Sequence, residues 1–300
     1  MPQQILTLSV PTIFSWEAIL GYLTREKHEI MYKVIEDKVR RTFFIDNQIY
    51  LCEIAYIEPK KQLQISVLNR QNWSTSSQEY IAQFVSDWFD LDTSLVAFYE
   101  LASTDSILSN LIKEFYGLRM VGMPDFYEAI TWGILGQQIN LAYAYTLKKR
   151  FTETFGQAVS FKSEDYWIYP DPKKVAQTTI EKLVSLGMTV RKAEYLIDIS
   201  QKIADGNISK SYYQTFASAE KAEKSMVKLR GIGPWTANYV LMRCLRMGDA
   251  FPMADIGLLN GIKTIKQLPE KPSPDTLLQL KQEWGNWASY ATFYIWRLIY

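Results

Sequence analysis

Residues 229–243 read LRGIGPWTANYVLMR. Gly231 and Gly233 flank Ile232, so two positions free of a Cβ stand where one helix must stop and the next begin within a few residues. Pro234 suits the first turn of the new helix, where its missing N–H is not needed. The segment predicts a tight hairpin between two helices, with backbone N–H groups left open at a helix N-terminus. Such groups suit a phosphate oxygen. A lone G-x-G also serves in ordinary helical turns, so the stretch needs support from its surroundings before it carries function.

Those surroundings read as helix. Beyond residue 100, apolar residues recur at helical spacing and loops are marked by Gly, Pro, Asp or Asn. The period predicts helices over 105–116, 125–136, 140–155, 172–185, 189–205, 218–229, 234–247, 255–262, 274–283 and 286–299, with no strand among them. No repeat of fixed period and no low-complexity run interrupts the pattern. Upstream the pattern changes. Residues 34–68 contain FFI (43–45), NQIYLCEIAYI (47–57) and KQLQISVL (61–68), separated by Asp46-Asn47 and by EPKK (58–61), which predicts short antiparallel strands. Helices are expected on either side, over 15–26 with Ser15 as N-cap and over 77–91. The fold class is therefore an α+β N-terminal domain, an antiparallel sheet with helices, followed by a mostly α-helical region.

Composition narrows the chemistry. Three hundred residues, 48% hydrophobic and 22% charged, suit a folded globular chain of two or three domains. Cys52 and Cys244 are too few for a four-thiolate zinc or iron–sulfur site. His28 is the only histidine, which leaves no partner set for a Ser-His-Asp triad or a His-rich metal centre. Catalysis then falls to carboxylates, Lys, Tyr or backbone dipoles. No apolar run reaches the length of a membrane span, and the first twenty residues lack a basic stretch before an apolar one, so a cytoplasmic protein with no membrane partner is expected. Residues 1–118 hold 10 basic and 15 acidic side chains, and residues 119–300 hold 23 and 17. The basic C-terminal part is compatible with a polyanion.

The hairpin is followed by AFPMADIGLL (250–259), in which Asp255 stands twenty residues after Trp235. Together they resemble the helix-hairpin-helix DNA glycosylases, in the alkylpurine branch of 3-methyladenine DNA glycosylase II type. AITWGILGQQIN (129–140) is similar to that family's helix and loop on the DNA-facing side, LGMTVRKAEYLIDIS (186–200) to its second basic helix, and WASYATFYIW (287–296) to its C-terminal helix. The resemblance covers nearly the whole chain. It implies three parts: residues 1–100, residues 126–247 with the hairpin, and residues 101–125 together with 248–300, the last carrying the aspartate. It also implies a monofunctional glycosylase that flips an alkylated purine out of double-stranded DNA and hydrolyses its N-glycosidic bond. A monomer without organic cofactor or structural metal is expected, with hairpin carbonyls as a seat for a monovalent cation.

Residue by residue, the resemblance makes Asp255 the catalytic carboxylate, facing the positive charge that develops on the sugar and orienting or deprotonating water. An Asp before IGLLNGI is also a favoured N-cap, and both roles are compatible. Members that nick the backbone carry a lysine at the place of Trp235, whose amine forms a Schiff base; an indole there points to water as nucleophile and to no strand cleavage. Trp235, Tyr239 and Trp296, with Tyr22 from the N-terminal part, match the pocket aromatics, whose faces attract a cationic methylated purine. Set against this, nine Trp and nineteen Tyr make any one ring a candidate for the core. Gln138 occupies the wedge position where the family's best-known member has leucine, which favours hydrogen bonding to the orphaned base over a dry plug. Arg230, Gly231, Ile232 and Gly233 in the hairpin, and Arg191 and Lys192 at a helix start, are the expected DNA contacts. The alternatives are a bifunctional glycosylase and lyase for oxidised bases, and a non-catalytic module that binds damaged DNA through the hairpin alone.

Overall fold

In the computed structural model, which describes residues 4–299, the N-terminal sheet is organised by its turns. Asp46 and Asn47 take φ values of 51° and 57°, the mirror-image turn whose twist matches that of paired strands. Phe43 consequently lies opposite Tyr50. Five strands, β1 (Ile5–Ser9), β2 (Tyr32–Ile35), β3 (Lys38–Ile45), β4 (Gln48–Ile57) and β5 (Gln62–Val67), form an antiparallel sheet in the order β1-β5-β4-β3-β2. Two helices, α1 (Trp16–Leu23) and α2 (Thr75–Phe89), pack near it, started by Ser15 and Ser74, whose side chains accept from Ala18 N and Ser77 N. Trp16 meets Phe89 edge-on and Phe43 meets Phe84, which seals the sheet against α2.

The helical region begins with α3 (Val96–Thr104), α4 (Leu108–Glu114), α5 (Phe126–Leu135) and α6 (Leu141–Phe155). The chain then forms a hairpin, β6 (Gln157–Phe161) and β7 (Glu164–Ile168), where helix alone was expected. Strands this short are held by what they dock on. Thr42 Oγ1 donates to the Trp167 carbonyl, Arg40 Nη1 to the Tyr166 hydroxyl at 3.3 Å, and Lys33 pairs with Glu164 at 2.8 Å. The hairpin thus rests against β3, a contact invisible to local periodicity.

The predicted helix over 172–185 is two short ones, α7 (Pro172–Ala176) and α8 (Ile180–Val184), because Thr179 turns extended and caps the second. Then follow α9 (Val190–Ala204), α10 (Lys210–Gln214), α11 (Ala219–Met226), α12 (Pro234–Arg243), α13 (Ile256–Ile265), α14 (Pro274–Trp284) and α15 (Ala288–Ile299). Phe98 on α3 packs on Trp287, Tyr290 and Tyr294, and Trp284 Nε1 donates to Asp105 at 2.8 Å. The early helices α3 and α4 therefore lie on the C-terminal ones.

A buried ionic chain fastens the sheet to the helices. Arg41 on β3 bonds Glu128 on α5 at 2.7 Å, and Lys148 on α6 bonds both Glu128 and Glu29 at 2.9 Å. Burial alone would raise the Glu128 carboxyl, but Lys148 and Arg41 outweigh it and hold it at about 2. No helix among the described residues is long and apolar enough to cross a membrane.

Candidate active site

The hairpin between α11 and α12 needs one of its glycines for conformation and leaves the other open. Gly231 has φ +85°, and a Cβ there would be driven into the Tyr195 ring. Gly233, the N-cap of α12, has φ −93°, and a Cβ on it would meet nothing. We predict opposite outcomes for their alanine variants. Gly231→Ala should lower stability by about 1–3 kcal/mol, read in urea melts. Gly233→Ala should melt like the parent and lose duplex affinity in fluorescence anisotropy, because its methyl stands where a DNA backbone would approach. Equal melts for both would contradict this.

The other expected DNA contacts divide. Arg191 is exposed at the start of α9, and Arg230 is exposed, paired with Glu194 and lying 5.7 Å from the Tyr195 ring. Ile232 is corrected: its side chain is in the core and its N–H bonds the Leu229 carbonyl at 3.1 Å. Lys192 is corrected too. It is buried, its Nζ caps the Leu135 carbonyl at 2.7 Å, and desolvation holds its ammonium below the usual lysine value. The basic residue that begins a helix is here a device for closing α5, not a phosphate contact.

Asp255 is both cap and centre. It begins α13 by accepting from Leu258 N on Oδ1 at 2.6 Å. Oδ1 also accepts from Trp296 Nε1, and Oδ2 from Trp235 Nε1, each at 2.7 Å. Three donors thus fix a carboxylate that is 8% exposed. It lies where a cavity of about 180 Å³ meets an open groove of about 760 Å³. The cavity is lined by Tyr22, Trp235, Tyr239 and Trp296, so the four aromatic residues singled out in sequence come together. Trp235 and Trp296 each lean against Tyr239, with ring centroids 5.5 and 6.1 Å apart. The volume is well below the roughly 300–1,000 Å³ of most ligand pockets.

The groove runs from the hairpin, at Gly231 and Gly233, past the loop joining α5 to α6. Gln138 is at the tip of that loop, exposed, with φ +57°. Its neighbour Gln137 donates from Nε2 to the Gly231 carbonyl at 2.8 Å and so ties the loop to the hairpin.

Sequence reasoning missed the cations of the cavity. Arg25, Arg243 and Arg297 also line it, as do Trp132 and Tyr145. Arg25 lies 3.5 Å from the centroid of Tyr22, and Arg243 is 5.4–5.5 Å from those of Tyr22, Tyr239 and Phe293. The expected cation-binding faces of Tyr22 and Tyr239 are therefore partly occupied from within the protein. A signal existed for Arg243, which falls four residues after Tyr239 and eight after Trp235 on one helical face.

Set beside known proteins, residues 131–286 match the family model described as HhH-GPD superfamily base excision DNA repair protein. This chain belongs to the HhH-GPD superfamily. Its residues 7–130 match the N-terminal domain model of 8-oxoguanine DNA glycosylase. The chain is 42% identical to the DNA-3-methyladenine glycosylase of Bacillus subtilis (strain 168), over 99% of this chain and 97% of the relative. It is 31% identical to DNA-3-methyladenine glycosylase 2 of Escherichia coli (strain K12) over 60% of each chain. The same fold is seen in the 3-methyladenine DNA glycosylase of Archaeoglobus fulgidus, with a TM-score of 0.84 at 20% identity over 97% of both chains. In the apo 8-oxoguanine glycosylase/lyase of Clostridium acetobutylicum the TM-score is 0.75 at 16% identity, over 99% of this chain and 96% of that one.

Proposed function

We propose that this chain is a monofunctional DNA glycosylase that excises alkylated purines from double-stranded DNA in base excision repair, with Asp255 acting at C1′. The observation that carries this reading is the carboxylate itself, held by two indole N–H groups and a helix N-terminus at the junction of an aromatic cavity and a groove. A base flipped into the cavity would place its sugar at that junction. As the C1′–N bond breaks, its electron pair leaves with the base and the sugar becomes oxocarbenium-like. Asp255 stabilises that charge, orients the water whose oxygen bonds C1′, and takes the proton that this water loses. Hairpin N–H groups at the start of α12 would hold a phosphate, with Arg191 and Arg230 nearby, and Gln138 would stand in the gap left by the flipped base. The relatives named DNA-3-methyladenine glycosylase support alkylated purines as the substrate class.

Trp235 favours hydrolysis over a lyase step. No lysine lines the cavity or the groove among the described residues, so no amine is at hand to attack C1′. The hairpin carbonyls of Leu229 and Gly231 each accept one hydrogen bond, from Ile232 N and Gln137 Nε2, and each keeps a further lone pair. These hard oxygens fit a monovalent cation that would add positive charge behind a phosphate. We read the protein as a monomer acting in the cytoplasm.

The test is incubation with methylated duplex DNA and chromatography of the released bases. Free 3-methyladenine or 7-methylguanine should appear, and the strand should stay intact until treated with hot alkali. Borohydride should trap no protein–DNA adduct. A trapped adduct would make an amine the nucleophile and overturn the monofunctional assignment.

A further inference from the structure

Arg243 is 5% exposed, yet no carboxylate among the described residues lies within 4.0 Å of it. Its Nε has no hydrogen-bond partner, and Nη1 reaches the Tyr239 hydroxyl only at 3.4 Å. Arg25 is similar. Its guanidinium bonds the Tyr22 carbonyl at 2.6 Å and the Tyr145 hydroxyl at 3.2 Å, with no carboxylate within 4.0 Å among the described residues. Glu29 and Glu128, which border a small void with both arginines, are engaged by Lys148 and Arg41, and Asp255 across the base cavity accepts from Trp235, Trp296 and Leu258. Burial pushes the Tyr239 and Tyr145 phenols up, so neither supplies a counter-charge near neutral pH. A buried cation left unpaired is costly, and these two line the base cavity.

We propose that Arg243, with Arg25 beside it, stabilises the electron pair that departs with the base and so sets which lesions the cavity releases fastest. The inference rests on the glycosylase reading above. When the C1′–N9 bond breaks, both electrons stay on N9. A neutral damaged purine such as hypoxanthine then leaves as an anion and takes its proton from water afterwards. Cationic 7-methylguanine leaves neutral. A fixed positive charge on the cavity wall lowers the barrier for the first, since negative charge grows only in the transition state. For the second it opposes entry. The aromatic faces and the guanidinium groups therefore pull selectivity in opposite directions, and Arg243 widens the range toward uncharged purines.

The experiment measures single-turnover release at subsaturating enzyme, so that entry and bond breaking both count, from duplexes carrying one hypoxanthine or one 7-methylguanine, with Arg243→Gln, Arg243→Lys and Asp255→Asn in parallel. Arg243→Gln should lower the hypoxanthine-to-7-methylguanine rate ratio by roughly 100-fold, and Arg243→Lys should restore most of it. An unchanged ratio would overturn the proposal and leave Arg243 as packing. Full activity of Asp255→Asn on both substrates would instead overturn the glycosylase mechanism on which the proposal rests. If Arg243→Gln does not fold, the parent protein bound to abasic-site DNA gives the same answer. Free xanthine should bind more tightly as it ionises to its monoanion, relative to hypoxanthine at each pH. Weaker or unchanged binding of the anion would overturn the proposal.

Discussion

Asp255→Asn should lower single-turnover base release at least about 100-fold while leaving duplex binding within a few-fold. The loss follows from removing a charge that acts only as the sugar becomes cationic, and groups of that kind are worth about 3 kcal/mol or more. Asparagine is as good an N-cap as aspartate, so α13 should still start at residue 256. One local conflict arises. Oδ1 accepts from Leu258 N and Trp296 Nε1, and Oδ2 from Trp235 Nε1. Whichever way the amide turns, its NH₂ confronts an N–H, which costs about 1–3 kcal/mol and should appear as a modest drop in melting temperature. Release within a few-fold of the parent, with the melt so shifted, would remove Asp255 from the mechanism. The same hydrogen bonds complicate any use of the tryptophans as probes of stacking. Trp235→Ala or Trp296→Ala deletes a ring face and a donor to Asp255 together, so both cationic and neutral substrates should slow. Phenylalanine at either position keeps a face and isolates the donor.

Glu128→Gln should destabilise the fold by about 3–5 kcal/mol at neutral pH. Its carboxylate bonds Arg41 and Lys148, and Glu29 remains only for Lys148. Arg41 is left with the Phe84 and Trp88 rings, at 4.9 and 5.1 Å, and with no carboxylate within 4.0 Å among the described residues, Glu29 and Asp125 acting on it only from farther away. The pH dependence has a definite sign. In the folded protein the Glu128 carboxyl is held at about 2, below the roughly 4.3 of an unfolded chain. Its stabilisation is therefore complete above the unfolded value and is lost as pH falls toward 2. Denaturant melts at pH 7 and pH 3 should show the gap between parent and variant shrinking. A gap that stays constant would mean the loss comes from packing and not from charge.

The two halves of the fold differed in how readable they were. Strands whose ends are marked by Asp46-Asn47 or Pro59 announce themselves, since turn chemistry is local. The β6–β7 hairpin did not, because its order comes from Thr42, Arg40 and Lys33 more than a hundred residues away. Strand β1 was equally silent, five alternately exposed and half-buried residues completed by pairing with β5. In the site, Asp255 and the three aromatic residues of α12 and α15 were singled out through the family resemblance, which fixes residue type and spacing together, and the fold brings them to one cavity. Lys192 was misjudged because a lysine at the start of a helix reads the same whether it faces solvent or the end of another helix. The arginines were overlooked because charge is expected outside, and only packing shows that Arg243 is enclosed by Tyr22, Tyr239 and Phe293.

Of the described residues around the cavity, only Tyr22 and Arg25 come from the sheet-bearing part of the chain; the rest belong to the helices from α5 onward and the residues that border them. One strip of the discriminating wall is thus cast apart from the reacting end, and the two meet where α1 leans on α15 through Tyr22 and Phe293, whose centroids are 4.7 Å apart. Such a joint makes α1 an interchangeable part. Exchanging the segment from Ser15 to Arg25 between homologues should retune lesion preference while hairpin and carboxylate stay untouched.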